Sequence, residues 1–313
     1  MPFVEIRALN KRYRGGFELH DINLSIEKGE IFTLMGPSGS GKTSLLRNIC
    51  GLETPDAGSI LIDGREITHL DTSKRGIGLV FQDLALFPHM TVYENIAFGL
   101  RSVKMEEKAK RGRVMELAER LGISELIERY PGQISGGQRQ RVALARTVAP
   151  FPSLLLLDEP LSSLDEQLRA GVRSFMKSFV KQMGFTAIYV THDHREGLFM
   201  ADRAGLIFDG TLSISGRPDE LFLKPADEKS AAFFGYNIIE MDGHRVAFLP
   251  GECEIGRGDM SARGISTGFE GEMTRVYAQV DGREIHLFIP NHRNAPRNGE
   301  TIKFDLLRPV MLR

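Results

Sequence analysis

The chain has 313 residues, room for two domains and a sizeable core. Its 42% hydrophobic content and formal net charge of −1 exclude a disordered polymer and a polybasic surface, so nucleic acid is not an expected partner. Cys50 and Cys253 are too few for a disulfide framework and suit a reducing cytosol, and residues 1–7 lack a signal-peptide core.

In chain order, residues 4–9 and 17–24 alternate as strands. Residues 31–35, Ile-Phe-Thr-Leu-Met, form an apolar strand that runs into GPSGSGKT at 36–43 and then a helical segment from Ser44. This is the P-loop pattern G-x-x-x-x-G-K-[ST] in its strand-to-helix setting. Gly36, Gly39 and Gly41 let the backbone curl. Together with Pro37, which has no N–H of its own, and Ser38, Ser40 and Ser44, they form a loop and helix start whose remaining N–H groups point at phosphate oxygens. Lys42 is expected to reach the β- and γ-phosphates and the Thr43 hydroxyl to ligate Mg²⁺.

Residues 58–64 read as another strand, and Gly78-Leu79-Val80-Phe81-Gln82-Asp83 as an apolar strand that stops at a glutamine. Residues 93–100 and 114–121 have helical spacing, and the mixed-charge run 104–113 reads as an exposed helical face. At 134–138, Ile-Ser-Gly-Gly-Gln opens a helix through Arg146, so Ser135, Gly136 and Gly137 offer a second anion cradle. A single nucleotide does not require two cradles from distant parts of one chain.

Leu154-Leu155-Leu156-Leu157-Asp158-Glu159-Pro160 reads as a fully buried parallel strand ending at a site, since ligands of open α/β sheets sit at strand C-termini. Asp158 is then placed to help hold Mg²⁺, and Glu159 to accept a proton from, or orient, an attacking water. In Leu161-Ser162-Ser163-Leu164-Asp165, the aspartate fits an N-cap for the helix from Glu166. Residues 187–194 are a β-branched and aromatic strand ending in His192 and His194. Alternate strand residues share a face, which would suit a metal, but no third ligand has convincing spacing.

A boundary is expected near Gly235. Beyond it come short strands at 244–250, 271–280, 283–290 and 301–309, with an Asp281-Gly282 hairpin turn. A small all-β barrel of OB type fits this pattern.

GPSGSGKT, Gln82, ISGGQ, LLLLDEP, LSSLD and the strand ending in His192 together resemble the ABC ATPases from residue 1 to about 235. The resemblance implies an α/β P-loop core, domain 1–235, with a helical subdomain inserted at about 83–150, and ATP and Mg²⁺ as cofactors. Asp158 takes the Walker B place and holds the metal with Thr43 and Gln82. Gln82 also reaches the attacking water, Glu159 acts as base, and His192 hydrogen-bonds the γ-phosphate.

By the same resemblance, Ser135, Gly136, Gly137 and Gln138 cap the γ-phosphate of the nucleotide bound by an opposite copy. Asp165 touches that copy's P-loop, and Tyr13 stacks on adenine. Ile134, Ser163 and His194 stand where family members commonly carry Leu, Ala and Gln. Residues 87–92 lie where importer relatives receive a coupling helix from the permease; an equal reading is that Phe87 and Met90 seal the subdomain's core.

Residues 236–313 are similar to the OB-like accessory domain of importer ATPases. No apolar run nears the ~20 residues of a spanning helix, so transport would need another chain to cross the membrane. The expected protein is therefore the ATP-hydrolysing subunit of an ABC importer, a head-to-tail homodimer peripheral to the cytoplasmic face of the inner membrane. It would dock on an integral membrane permease served by an extracytoplasmic solute-binding protein. The tail favours a small inorganic ion, iron(III) or an oxyanion such as molybdate or sulfate, over polyamine or sugar. A soluble ABC ATPase usually brings coiled coils or paired ATPase domains, an exporter ATPase fits the β-rich tail poorly, and a P-loop kinase or GTPase leaves ISGGQ unexplained.

Overall fold

The computed structural model describes residues 1–290 and 296–312. The chain parts into two compact units, 1–218 and 219–313.

The first unit opens with strands β1 (Val4–Arg12), β2 (Glu18–Ile26) and β3 (Ile31–Met35), helix α1 (Lys42–Cys50), then β4 (Ala57–Ile62), β5 (Arg65–Glu66) and β6 (Ile77–Val80). Helices α2 (Val92–Gly99), α3 (Glu107–Arg120) and α4 (Gly136–Val148) follow in the stretch expected to be helical. The unit continues with β7 (Leu154–Asp158), α5 (Glu166–Gln182), β8 (Thr186–Thr191), α6 (His194–Met200), β9 (Arg203–Phe208) and β10 (Thr211–Gly216).

Two sheets result. An antiparallel sheet has the order β2-β1-β4-β5, and a six-stranded sheet has the order β10-β9-β3-β8-β7-β6. In the second, β3, β6, β7, β8 and β9 run parallel, with Met35 beside Thr191, Val80 beside Leu157 and Asp158 beside Val190. Four strands therefore end in nearly one row.

The leucines of β7 show why this sheet is the unit's centre. Leu154 and Leu156 pack with α1 residues Leu45, Leu46 and Ile49, while Leu155 and Leu157 pack with Val142, Ala145 and Val180 of α4 and α5. Both faces are covered, so the strand is a continuous apolar run, and each buried leucine contributes about 2 kcal/mol. Among the helices, the exposed face expected at 104–113 is corrected at its end. Arg113 is buried, donates to Val148 O at 3.2 Å, and stacks its guanidinium 4.0 Å from the Phe151 ring centre. The long aliphatic stem makes that burial favourable while the charged head finds carbonyls and a ring.

The second unit begins earlier than the expected boundary near 235. Helices α7 (Pro218–Leu223) and α8 (Glu228–Phe233) belong with the strands that follow: the Phe222 ring lies 5.5 Å from Phe234 and 6.0 Å from Tyr236, and the Tyr236 hydroxyl donates to Phe222 O at 2.9 Å. Aromatic docking, invisible to strand patterning, moves the division to Pro218. From residue 237 on the described chain is all β: β11 (Asn237–Met241), β12 (His244–Phe248), β13 (Cys253–Glu270), β14 (Met273–Val280), β15 (Arg283–Pro290), β16 (Thr301–Leu306) and β17 (Val310–Met311). They form sheets of order β11-β12-β17 and β15-β14-β13-β16 around Phe248, Val276, Leu287 and Phe304.

Candidate active site

The P-loop leaves the C-terminal end of β3. Gly36 is irreplaceable for steric reasons: a Cβ there would lie 2.2 Å from Ile207 O. Gly41 precedes α1 at φ +107°, and a Cβ on it would come within 2.8 Å of both Leu19 and Phe17 side chains. Lys42 is 4% exposed, and its ammonium donates to Gly36 O and Pro37 O, each at 2.8 Å. Burial lowers its pKa, opposed by the nearby Glu159 and Asp158 carboxylates. Pro37, Ser38 and Gly39 are exposed at the loop's crest, and Ser40 is buried beneath it.

One row across, the Thr43 hydroxyl donates to Asp158 Oδ1 at 3.2 Å. Burial raises the Asp158 pKa, the Thr43 hydrogen bond opposes the rise, and Glu159 adds to it. Gln82, two residues past β6, is exposed and lines a cleft of 580 Å³ with Thr43, Arg47, Phe81, Asp83, Asp158, Ser162 and Ser163. The structure thus brings together the three metal ligands expected from sequence. A hydroxyl, a carboxylate and an amide are hard oxygen donors, the set that suits Mg²⁺ completed by water and phosphate.

Glu159 follows β7 in a left-handed conformation, φ +44°, which costs a non-glycine residue about 1–3 kcal/mol. It is held there by its N–H donating to Val190 O at 3.0 Å and by its carbonyl accepting from the Ser162 N–H and hydroxyl. The turn sends the carboxylate toward β8, where Oε2 lies 2.9 Å from His192 Nδ1. With Glu159 ionised, Nδ1 carries the shared proton and donates, which fixes the ring and leaves Nε2 to act elsewhere. His192 stands just beyond β8 and His194 opens α6, so the two imidazoles are not alternate residues of one strand as the sequence reading supposed. Asp193 caps α6, its carboxylate accepting from Arg195 and Glu196 N–H groups.

Ser135 and Gln138 form a capping box at the start of α4: the Ser135 hydroxyl accepts from Gln138 N, and Gln138 Oε1 accepts from Ser135 N. The glycines have a packing reason as well as an open-cradle one. A Cβ on Gly136 would meet Leu164 at 2.8 Å, and one on Gly137 would meet Val172 at 3.1 Å. Among the described residues, none of 135–138 lines the cleft that holds Thr43, Gln82 and Asp158. Asp165 is exposed and caps α5, accepting from Leu168 N at 3.0 Å.

Tyr13 is also outside that cleft. Its ring lies 5.8 Å from Phe17, whose side chain abuts Gly41, and its hydroxyl donates to Glu53 and accepts from Asn48 Nδ2 at 3.4 Å. Sequence reasoning missed Asn48 and Glu53, which fix the ring beside α1. It also missed Gln140, buried on α4, whose amide donates to Pro160 O and ties α4, the helix that opens on the ISGGQ signature, to the turn carrying Glu159.

Residues 19–162 match the family model described as ABC transporter. A molybdate/tungstate import ATP-binding protein, WtpC of Thermococcus kodakarensis, is 48% identical over 237 residues, covering 75% of this chain and 71% of the relative. The sulfate/thiosulfate import ATP-binding protein CysA of Pseudomonas aeruginosa is 40% identical over 291 residues, 90% of this chain and 88% of the relative. The chain belongs to the ABC transporter ATP-binding proteins.

Within this family the spermidine/putrescine import ATP-binding protein PotA of Haemophilus influenzae is 45% identical over 240 residues, 76% of this chain; the match spans only 64% of the relative's length. Among solved structures, the dimeric post-hydrolysis state of the ATP-binding cassette MJ0796 bound to ADP and Pi superposes with a TM-score of 0.61 at 32% identity. It covers 69% of this chain and 98% of that one. The cbiO1 protein of Clostridium perfringens, part of the transporter complex cbiONQ, gives 0.65 at 31% identity, covering 74% and 93%. Among the described residues of this ABC chain, no helix is long and apolar enough to cross a membrane.

Proposed function

We propose that this chain is the ATP-hydrolysing subunit of an ABC importer, acting as a head-to-tail pair on a membrane permease. One observation carries the reading. The ends of β3, β6, β7 and β8 bring Lys42, Thr43, Gln82, Asp158, Glu159 and His192 to a single edge, while the cradle of Ser135 and Gly137 lies outside their cleft. A site so divided is completed by a second copy, whose Ser135 and Gly137 face the γ-phosphate; Asp165 lies at the same seam.

In this reading Lys42 turns from the loop carbonyls to the β- and γ-phosphates, and the glycine-lined loop supplies backbone N–H donors. Thr43, Asp158 and Gln82 would hold Mg²⁺, which when bound neutralises charge on the phosphate oxygens. Glu159 orients the attacking water and takes its proton. His192, fixed through Nδ1 by Glu159, presents Nε2 to the γ-phosphate. Tyr13 stacks on adenine, its ring held by Glu53 and Asn48. Closure of the pair on two ATP molecules drives the permease, and hydrolysis resets it.

The cargo is an inorganic oxyanion of the sulfate or molybdate class, delivered by an external binding protein, with this chain peripheral on the cytoplasmic side. The match to the sulfate/thiosulfate relative supports this choice, because it takes in 90% of this chain, against 76% for the polyamine relative. The test is recovery of tagged Glu159→Gln protein from gently solubilised native membranes with Mg-ATP, followed by mass spectrometry. A multi-spanning permease whose binding protein takes sulfate or molybdate supports the reading; a polyamine-binding partner overturns the cargo, and soluble partners alone overturn the importer role.

A further inference from the structure

Gln82 belongs to a loop whose backbone is strained just downstream. Leu84 and Ala85 both sit in the left-handed region, at φ +61° and +44°, a conformation that non-glycine residues keep only when their surroundings enforce it. What enforces it comes from 61 residues away. Arg146, in the last turn of α4, donates from Nη2 to Leu84 O and from Nη1 to Ala85 O, both at 2.7 Å. The guanidinium is partly buried, with its centre 5.5 Å from the Phe87 ring; burial lowers its pKa and the Asp83 carboxylate opposes that shift.

The end of α4 is itself fixed. α2 crosses it so closely that a Cβ on Gly99 would stand 2.2 Å from Arg146 O. The far side of the loop is also pinned, by buried Asn95, whose amide accepts from Phe87 N and donates to Phe87 O, Met90 O and Thr91 O. The stretch between Gln82 and Phe87 is therefore joined to α4 both by the apolar packing of Leu84 in the core that α4 shares and by the paired hydrogen bonds of Arg146.

We propose that Arg146 is a positioning residue for hydrolysis: its planar fork clamps the carbonyls of Leu84 and Ala85 and so sets Gln82 according to the position of the helix that carries Ser135 at its other end. An ammonium can reach two successive carbonyls, as Lys42 does, but only the rigid planar fork of guanidinium fixes their relative orientation. The clamp couples the second copy's grip on the signature to the loop that holds the metal and water. It rests on the assignment of Gln82 made above.

The experiment compares wild type, Arg146→Lys and Arg146→Lys in an Ala85→Gly background. It measures ATP turnover and KM, melting temperature, and hydrogen–deuterium exchange across residues 81–91 without nucleotide. Arg146→Lys keeps charge and helix propensity, so it is expected to fold, to lose roughly tenfold in kcat with KM for ATP little changed, and to exchange faster at 82–87. Glycine at exposed position 85 adopts positive φ without strain, so the double variant regains most of the lost turnover. A general packing defect would not be rescued by removing a methyl group.

Wild-type turnover and exchange in Arg146→Lys, or a double variant no better than the single, overturns the proposal. The exchange readout separates the two levels. A chain without ATPase activity whose loop still loosens on Arg146→Lys refutes the Gln82 assignment and with it the catalytic role of the clamp, whereas unchanged exchange in an active enzyme refutes the clamp alone.

Discussion

Tyr189→Phe removes one oxygen from the centre of the first unit, and its effect can be worked out from its surroundings. The Tyr189 hydroxyl donates to Glu196 Oε1 at 2.6 Å across the turn that carries His192, between a side chain that is 0% exposed and one that is 4% exposed. A hydrogen bond to a charged acceptor contributes about 1.5–3 kcal/mol, and water cannot easily replace the donor at such burial. A loss of about 2 kcal/mol lowers the melting temperature of a unit this size by about 4–8 °C.

The sign with pH follows from Glu196. Burial raises its pKa above the unfolded value, and the Tyr189 and Thr191 hydrogen bonds restrain the rise. A carboxyl with a raised folded pKa subtracts stability as pH climbs through that pKa, because the unfolded state has already released the proton. Removing the tyrosine donor raises it further, so the variant loses more at alkaline than at acid pH. Thermal melts of both proteins between pH 5 and 8 should show a gap that widens with pH. A gap that is absent at pH 8, or that narrows as pH rises, refutes this account of the buried pair.

Other predictions concern the nucleotide site. Lys42→Ala should abolish tight ATP binding in equilibrium dialysis while leaving the melting temperature within a few degrees, because the ammonium's present partners are two loop carbonyls. His192→Ala should lower kcat by about 10²-fold or more with little change in ATP affinity, whereas His194→Ala should leave turnover nearly unchanged; equal losses would contradict the assignment of His192. Gly41→Ala combines positive φ with two contacts at 2.8 Å and should cost about 2–4 kcal/mol of stability, read by urea unfolding.

The parts of this protein legible from sequence are those that local physics writes into contiguous residues. Leu154–Asp158 is apolar on both faces because both are covered, and GPSGSGKT needs glycine where Ile207 O and Phe17 leave no room for a side chain. Strand β13 escaped notice because glycines at 256, 258, 264 and 268 and the register break between Ile255 and Met260 make it read as turns. Arg146, Gln140 and Asn48 leave no pattern for another reason. Each is a polar residue on an ordinary helix whose meaning lies in an atom far along the chain, namely Leu84 O, Pro160 O and the Tyr13 hydroxyl. The early start of the second unit depended in the same way on Phe222 meeting Tyr236.

The most direct test of the divided site is light scattering of Glu159→Gln protein, which on this account binds ATP and turns it over too slowly to matter. The account predicts a 34.9 kDa monomer without nucleotide and a species of twice that mass with saturating Mg-ATP. It also predicts that Ser135→Arg on the same background binds ATP yet stays monomeric, since the cradle needed is the other copy's. A Glu159→Gln chain that holds Mg-ATP and remains monomeric would contradict it.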